Sequence, residues 1–424
     1  MVGPEKRADL LAAAERPMDR YAQRRFVPFC LWTPCLMEPV THFLTGACIG
    51  RAGLNRKTAY ATVAAVLAAE AADLDVFWGL RGPVAELQHH RGFTHTFLGA
   101  VAIAAIVVGV VWAGHWVNEK RRTRKAAKSG AQAASPPLPL PMWAAKGPIA
   151  VPRGRQPVRW GWLSATAFIA ALSHILLDWM NNYGVRPFYP FSSRWYMGSF
   201  MFIAEPVLWA LLGLALVMPW LLGLADREIG ARRKPFRGRG WAIFALTGCA
   251  VLAGVRWWQH DVAIRMTRDA HLTSEPEERI AAEPYPINPF HWHMIVETPS
   301  YFQTAETNTW SGAVNSDPRL NILYKPAVTP AVEAAKQTYL GRVYMDWSMW
   351  PMVRDMGQEP APGGDPPDLP KGRTWTTVQF SDLRFHYSIL GSRAGSDKSP
   401  LSGWVYIVDG HEDAGEMMGG RQQR

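Results

Sequence analysis

Five apolar runs fill residues 59–80, 96–117, 161–181, 200–224 and 240–257, each near the length of about 20 residues that a helix needs to cross a bilayer. Inside hydrocarbon every backbone N–H and C=O must find its partner within the segment or a closed barrel, so runs of this kind fold as helices packed in a bundle. The expected fold class is therefore mainly α: a polytopic helical membrane domain of about five membrane helices over 37–257, followed by a small β-rich domain over 258–424. The first run is Ala-rich and carries Glu70, Asp73 and Asp75, so a buried or interfacial helix is the alternative for it. The stretch from His42 to Gly50 is too short to span and should pack beside it as a half-helix or loop.

Charge divides the chain in the same place. Through residue 257 there are 30 Lys and Arg against 14 Asp and Glu, and beyond it 15 against 21, so the net charge of +10 belongs to the first half. The basic residues gather in the loops 118–160 and 225–239, the first with a Pro-rich centre from Ser135 to Pro141. Basic loops between apolar spans follow the positive-inside rule, which argues against nucleic acid as partner and for a cytoplasmic position of these loops. The less charged loops near 82–95 and 182–199 then face outward. With five spans the N-terminus is cytoplasmic and everything after Arg256 is extracytoplasmic. Runs such as Trp375 to Tyr387 and Gly403 to Val408, broken by Pro and Gly, are a strand pattern, preceded by a helix near 258–274. Residues 1–36 are charged and lack an apolar core; they read as an extension, untranslated or disordered, ahead of a start at Met37. The cysteines Cys30, Cys35, Cys48 and Cys249 contain no CxxC pair.

Ionisable side chains are costly in membrane segments and mark sites. Asp73 and Asp75 close the first run, His89, His90 and His95 open the second, His174 and Asp178 end the third, and Glu205 stands near the start of the fourth. The topology above puts all of them toward the outward face. His174 and Asp178, four apart, share one helix face and suit two ligands of one ion, or a helix-stabilising hydrogen bond. His90 and His95 flank Gly92, so a turn brings them together. Arg91 between them either clamps an anionic group or snorkels at the interface. Asp73 and Asp75 point to different helix faces; either the helix distorts so that both are ligands, or one binds metal and the other orients a histidine. His89 reads as a solvent-facing neighbour. His42 is a lone histidine in an apolar setting, made notable by this company.

At these residues the chain resembles the YdjM-type family of inner-membrane metal-dependent hydrolases, through Thr41 and His42, Asp73 to Asp75, His90 to His95, His174 to Asp178, and the Tyr183 to Val185 and Tyr189 to Trp195 strings. The likeness covers about 37–225, and Pro284 to Trp292 resembles the join to an exported domain in longer members. Ala72 stands where relatives commonly have Pro, and Glu205 where Asp-Pro is usual.

The resulting expectation is a multi-pass inner-membrane hydrolase. Its divalent metal, Zn²⁺ before Mn or Fe, is held by Asp73, Asp75, His90, His95, His174 and Asp178, as one ion or two. The metal-activated water attacks an ester or phosphoester, His42 or Glu205 moves a proton, and Arg91 fixes the substrate. Membrane lipids and a small or lipid-linked substrate are the expected partners. A metal or proton transporter, with ligands lining a path through the bilayer, and a structural or signalling protein with a helix-pinning ion are the alternatives.

Overall fold

The computed structural model describes residues 34–128, 156–228, 238–386 and 401–423. The expected N-terminal extension falls almost wholly outside these residues, as do most of the Pro-rich linker and the loop 225–239.

Among the described residues seven α-helices build the first half: α1 (Pro34–Arg51), α2 (Ala61–Glu70), α3 (Pro83–His89), α4 (Phe97–Lys128), α5 (Trp160–Met180), α6 (Pro206–Glu228) and α7 (Arg239–Asp269). Four of them, α4 to α7, are long and apolar enough to cross a membrane. The run 59–80 is not among these four. Its α-helix has 10 residues, about 15 Å at 1.5 Å per residue, and then tightens into 3-10 winding over Ala71–Arg81, where Asp73 and Asp75 sit. Alanine supplied the hydropathy of that run, and it serves burial instead: Ala64, Ala65, Ala68 and Ala69 are all enclosed, with Ala167, Ala170 and Ala171 of α5 in the same core.

α1 is longer than the half-helix expected there. Two glycines four apart let it lie directly on α2: a Cβ on Gly46 would stand 2.8 Å from the Ala65 carbonyl oxygen, and one on Gly50 2.5 Å from the Thr62 Cα. This is the close approach that small residues at four-residue spacing permit between membrane helices. The helix expected near 258–274 is not separate, because α7 runs 31 residues without a break.

Hydrogen bonds gather the helix ends into two sets. At one end Arg51 Nη1 reaches the Leu216 carbonyl, Arg239 Nε the Ala52 carbonyl, and Ala59 N–H the Pro157 carbonyl. At the other, Phe97 N–H donates to Pro187 O and Gly198 N–H to Trp179 O, and here the chain passes from α7 into strands.

Two antiparallel five-stranded sheets follow. β1 (Arg279–Pro284), β2 (His291–Glu297), β3 (Tyr301–Asn308) and β4 (Ala313–Asn315) pair in that order, and β5 (Ile322–Tyr324) also pairs with β3. After helices α8 (Pro330–Gln337) and α9 (Tyr339–Trp347), N-capped by the Thr329 and Thr338 hydroxyls, come β6 (Pro351–Asp355), β7 (Trp375–Asp382), β8 (Gly403–Val408), β9 (Glu412–Met418) and β10 (Arg421–Gln422). These line up in the order β10-β9-β8-β7-β6.

The two halves share a core. Leu340, Val343, Tyr344 and Trp347 on one face of α9 pack with Val84, Leu87, Tyr183 and Trp195 from the helical half. Buried Arg384 donates across the boundary to the Asn182 carbonyl at 2.8 Å, and the Gln423 side chain bridges Val84 N–H and Arg81 O, both at 2.9 Å.

Candidate metal centre

Four elements converge at the strand-bearing end. α1 contributes His42, the 3-10 segment after α2 contributes Asp73, the short turn Phe93–His95 contributes His95, and α5 contributes His174 and Asp178. One potential ligating atom from each of His42, His174 and Asp178 lies within 4.8 Å of the others, and the same holds for Asp73, His95 and His174. His174 belongs to both sets, so five side chains form one cluster. All but Asp73 are almost wholly buried.

Hydrogen bonding sets which atoms face inward. His174 Nδ1 stands 2.6 Å from the Ala69 carbonyl oxygen. A carbonyl only accepts, so Nδ1 carries the proton and Nε2 of the neutral ring is a lone pair. His95 Nδ1 lies 3.2 Å from Asp75 Oδ2, which likewise leaves its Nε2 as an acceptor. The two Nε2 atoms are 2.9 Å apart. Asp73 Oδ1 lies 3.4 Å from each of them, and Asp178 Oδ2 lies 3.3 Å from each. Both oxygens of Asp73, Oδ2 of Asp178 and Nδ1 of His42 are buried without a hydrogen-bond partner. With both rings neutral, four acceptors face one another without a donor, and buried acceptors without donors are costly. A cation resolves this problem. Imidazole nitrogen and carboxylate oxygen, with no sulfur, suit Zn²⁺ and its first-row neighbours, so the residues present fit the group.

Around this set stands a layer that orients it. Asp75 Oδ1 meets His90 Nδ1 at 3.0 Å, and its Oδ2 accepts from Arg91 N–H at 2.9 Å and the Thr94 hydroxyl at 3.1 Å. Burial acts to raise the Asp75 pKa, but the hydrogen bonds from His90 and His95 outweigh it and hold the carboxyl below its usual range. Arg91 has a left-handed φ of 56°, a conformation uncommon outside glycine and Asn or Asp, and the bond to Asp75 supports it. Its guanidinium is fully buried, 3.2 Å from Asp178 Oδ1, with Asn181 Oδ1 at 3.0 Å and Gly184 O at 2.8 Å. His42 stacks on His174 at 3.7 Å between ring centroids and sets Nε2 3.4 Å from Asp178 Oδ1.

Several sequence-derived roles are redistributed. Asp75 and His90, expected among the ligands, lie outside the five-residue cluster and meet each other at 3.0 Å. Arg91, expected to clamp substrate, is instead turned inward onto Asp178. His42, expected to move a proton, lies in the ligating cluster. Glu205 is elsewhere: its Oε2 is 2.7 Å from Arg256 Nη2, and its Oε1 accepts from Ile287 N–H at 3.1 Å and Val207 N–H at 3.3 Å. His89 stacks on Trp78 at 3.9 Å, outside the cluster. Glu70, the last residue of α2, was not singled out as a site residue. Its Oε1 is buried without a partner, and its carboxylate interacts electrostatically with Asp73 and His174; its place three residues before Asp73 was the available signal.

The model of the YdjM inner membrane protein family matches residues 37–262, more than half of the chain and every residue of the cluster. The chain belongs to this family. No curated protein and no solved structure matches it. The YdjM match ends within α7, so the sheets lie beyond it.

Proposed function

We propose that this YdjM-family protein is a metal-dependent hydrolase of ester or phosphoester bonds, acting at the membrane face where its sheets lie. The observation that carries the reading is the convergence of His95 Nε2, His174 Nε2, Asp73 Oδ1 and Asp178 Oδ2, each nitrogen within 3.4 Å of both carboxylate oxygens. His42, Asp73, His95, His174 and Asp178 hold the ion. A bound divalent ion of the zinc type supplies hydroxide near neutral pH by lowering the pKa of its water.

The protein's own groups do the rest. The Ala69 carbonyl fixes the tautomer of His174, and Asp75 does the same for His95, an arrangement that raises ligand basicity. Arg91 holds Asp178 in place from behind. Glu70 Oε1, at the edge of the cluster, receives the proton released when water attacks, a role that Glu205 cannot take while bound to Arg256. The positive-inside pattern supports a cytoplasmic position of the basic loops and an outward position of this face, and with it a lipid-linked or phosphate-bearing substrate. A transport path would instead string ligating groups through the bilayer, whereas these five side chains form one cluster.

The test is metal analysis of the purified protein after metal-replete preparation, beside His174→Ala and Asp178→Ala, followed by turnover of bis(p-nitrophenyl) phosphate. The reading requires stoichiometric metal in the wild type, its loss in both variants, and loss of turnover in a folded His95→Ala. A wild type without stoichiometric metal sinks it.

A further inference from the structure

A recess of about 270 Å³ opens between the 182–199 loop and α9, lined by Arg186, Arg342, Asp346, Trp195, Trp347 and Tyr339 among others. Two guanidiniums and one carboxylate give it net positive charge. Arg186 is only 7% exposed. It donates one strong bond, 2.8 Å to the Gln88 carbonyl, while its contact with Asp346 is a long 3.4 Å, and its Nε is buried without a partner. Asp346 is half-exposed on its side chain and so is readily displaced. Arg342 is exposed and bonds by one nitrogen to the Gln337 carbonyl. The indole rings of Trp195 and Trp347 are buried walls.

We propose that this recess binds the phosphate of a phosphomonoester head group. Guanidinium forks match phosphate oxygens better than any other common anion-binding side chain, and both arginines line this recess. Flat aromatic walls take the carbon skeleton next to it. The volume lies just below the roughly 300–1,000 Å³ of pockets for drug-sized ligands, enough for a phosphorylated glycerol or sugar and too small for acyl chains. The Tyr183 ring stands between the recess and the layer that surrounds the centre. Tyr183 contacts Trp347 at 5.0 Å and Trp195 at 6.2 Å on one side, and Arg91 at 4.6 Å and His90 at 5.5 Å on the other. The recess exists only because α9 of the sheet-bearing half completes it, which gives that half a part in substrate selection. The inference rests on the hydrolytic reading for the fate of the ligand, whereas binding stands apart from it.

The experiment therefore uses the full chain in EDTA, where no turnover occurs. Calorimetric titration with glycerol 3-phosphate forms one arm. The other is native mass spectrometry of lipid retained from phosphatidylcholine nanodiscs with and without phosphatidic acid. Binding in either arm is expected, weakened about tenfold or more in Arg186→Gln and Arg342→Gln by loss of a charge-assisted pair, and strengthened severalfold in Asp346→Asn. Binding of the free phosphate alone assigns a soluble ligand, and retention of phosphatidic acid alone assigns a lipid. Arg342 is exposed, so its variant keeps the test open if Arg186→Gln does not fold. Binding in neither arm, or unchanged binding in Arg342→Gln, overturns the proposal. Failure of the hydrolytic reading shows differently, as wild-type phosphate binding in a protein that takes up no metal.

Discussion

Histidines and carboxylates meet in both halves of the molecule, with opposite donor balance. In the sheet-bearing half, Glu306 faces His291 Nε2 at 3.0 Å, His293 Nδ1 at 3.1 Å and the Tyr285 hydroxyl at 2.9 Å. One acid sits among two imidazoles and a hydroxyl, and although burial acts to raise its pKa, His291 and His293 bring it down to about 2. In the helical half the Nδ1 protons are spent on Ala69 and Asp75, so the neutral rings turn lone pairs toward Asp73 and Asp178. The residue types alone do not make a metal site; the atoms that bond outward decide which atoms are left to bond inward.

The sharpest way to break this contrast is His174→Ala, which removes the residue common to both ligating sets. Metal content should fall from about one or two equivalents to near zero and hydrolysis with it, while Glu306→Ala leaves both intact; elemental analysis reads the difference. Next in size is Arg256→Met, which strands Glu205 in the interior. Breaking a buried ion pair costs about 3–5 kcal/mol, so thermal unfolding should come much earlier, with metal stoichiometry unchanged in the protein that folds. A parallel loss of metal would place Glu205 in the centre after all.

Asp75→Asn sharpens the distinction between holding a ligand and being one. Loss of such an orienting carboxylate lowers metal affinity about 10–100-fold, measurable by competition with a chelator, whereas Asp73→Asn should abolish binding. The smallest effect concerns His386, which burial, reinforced by the charge of His293, keeps neutral down to about pH 4. An unfolded histidine titrates near 6.5, so the unfolded chain binds the extra proton between these values. Stability from this group is complete above pH 6.5 and falls with acidification toward pH 4, by at most about 1.4 kcal/mol per pH unit. In His386→Phe that part of the acid dependence should vanish from urea unfolding curves. An unchanged slope would show that His386 is not held neutral.

Much of the architecture was legible because hydropathy over about 20 residues is a local property. Four candidate membrane helices emerge from it, and so do the strands at 375–382 and 403–408. The error at 59–80 came from alanine, which scores as apolar whether it meets lipid or the backbone of a neighbouring helix. The break expected after Trp257 failed for the converse reason, since Gln259, His260 and Asp261 lower the hydropathy without ending a helix. At the centre, the residue types were readable while their roles were not. Arg91 could be sorted from a substrate clamp only by Asn181 and Gly184, about 90 positions away, and Glu205 from a base only by Arg256, 51 positions away.

The bond from Arg384 to the Asn182 carbonyl also carries a clock. Its ends are 202 residues apart, and a ribosome adding about 5–20 residues per second needs roughly 10–40 s to travel that far. The neighbouring residue, Asn181, is the one that grips Arg91. During synthesis all four long helices are therefore made well before Arg384 can close onto the carbonyl next to the residue that grips Arg91.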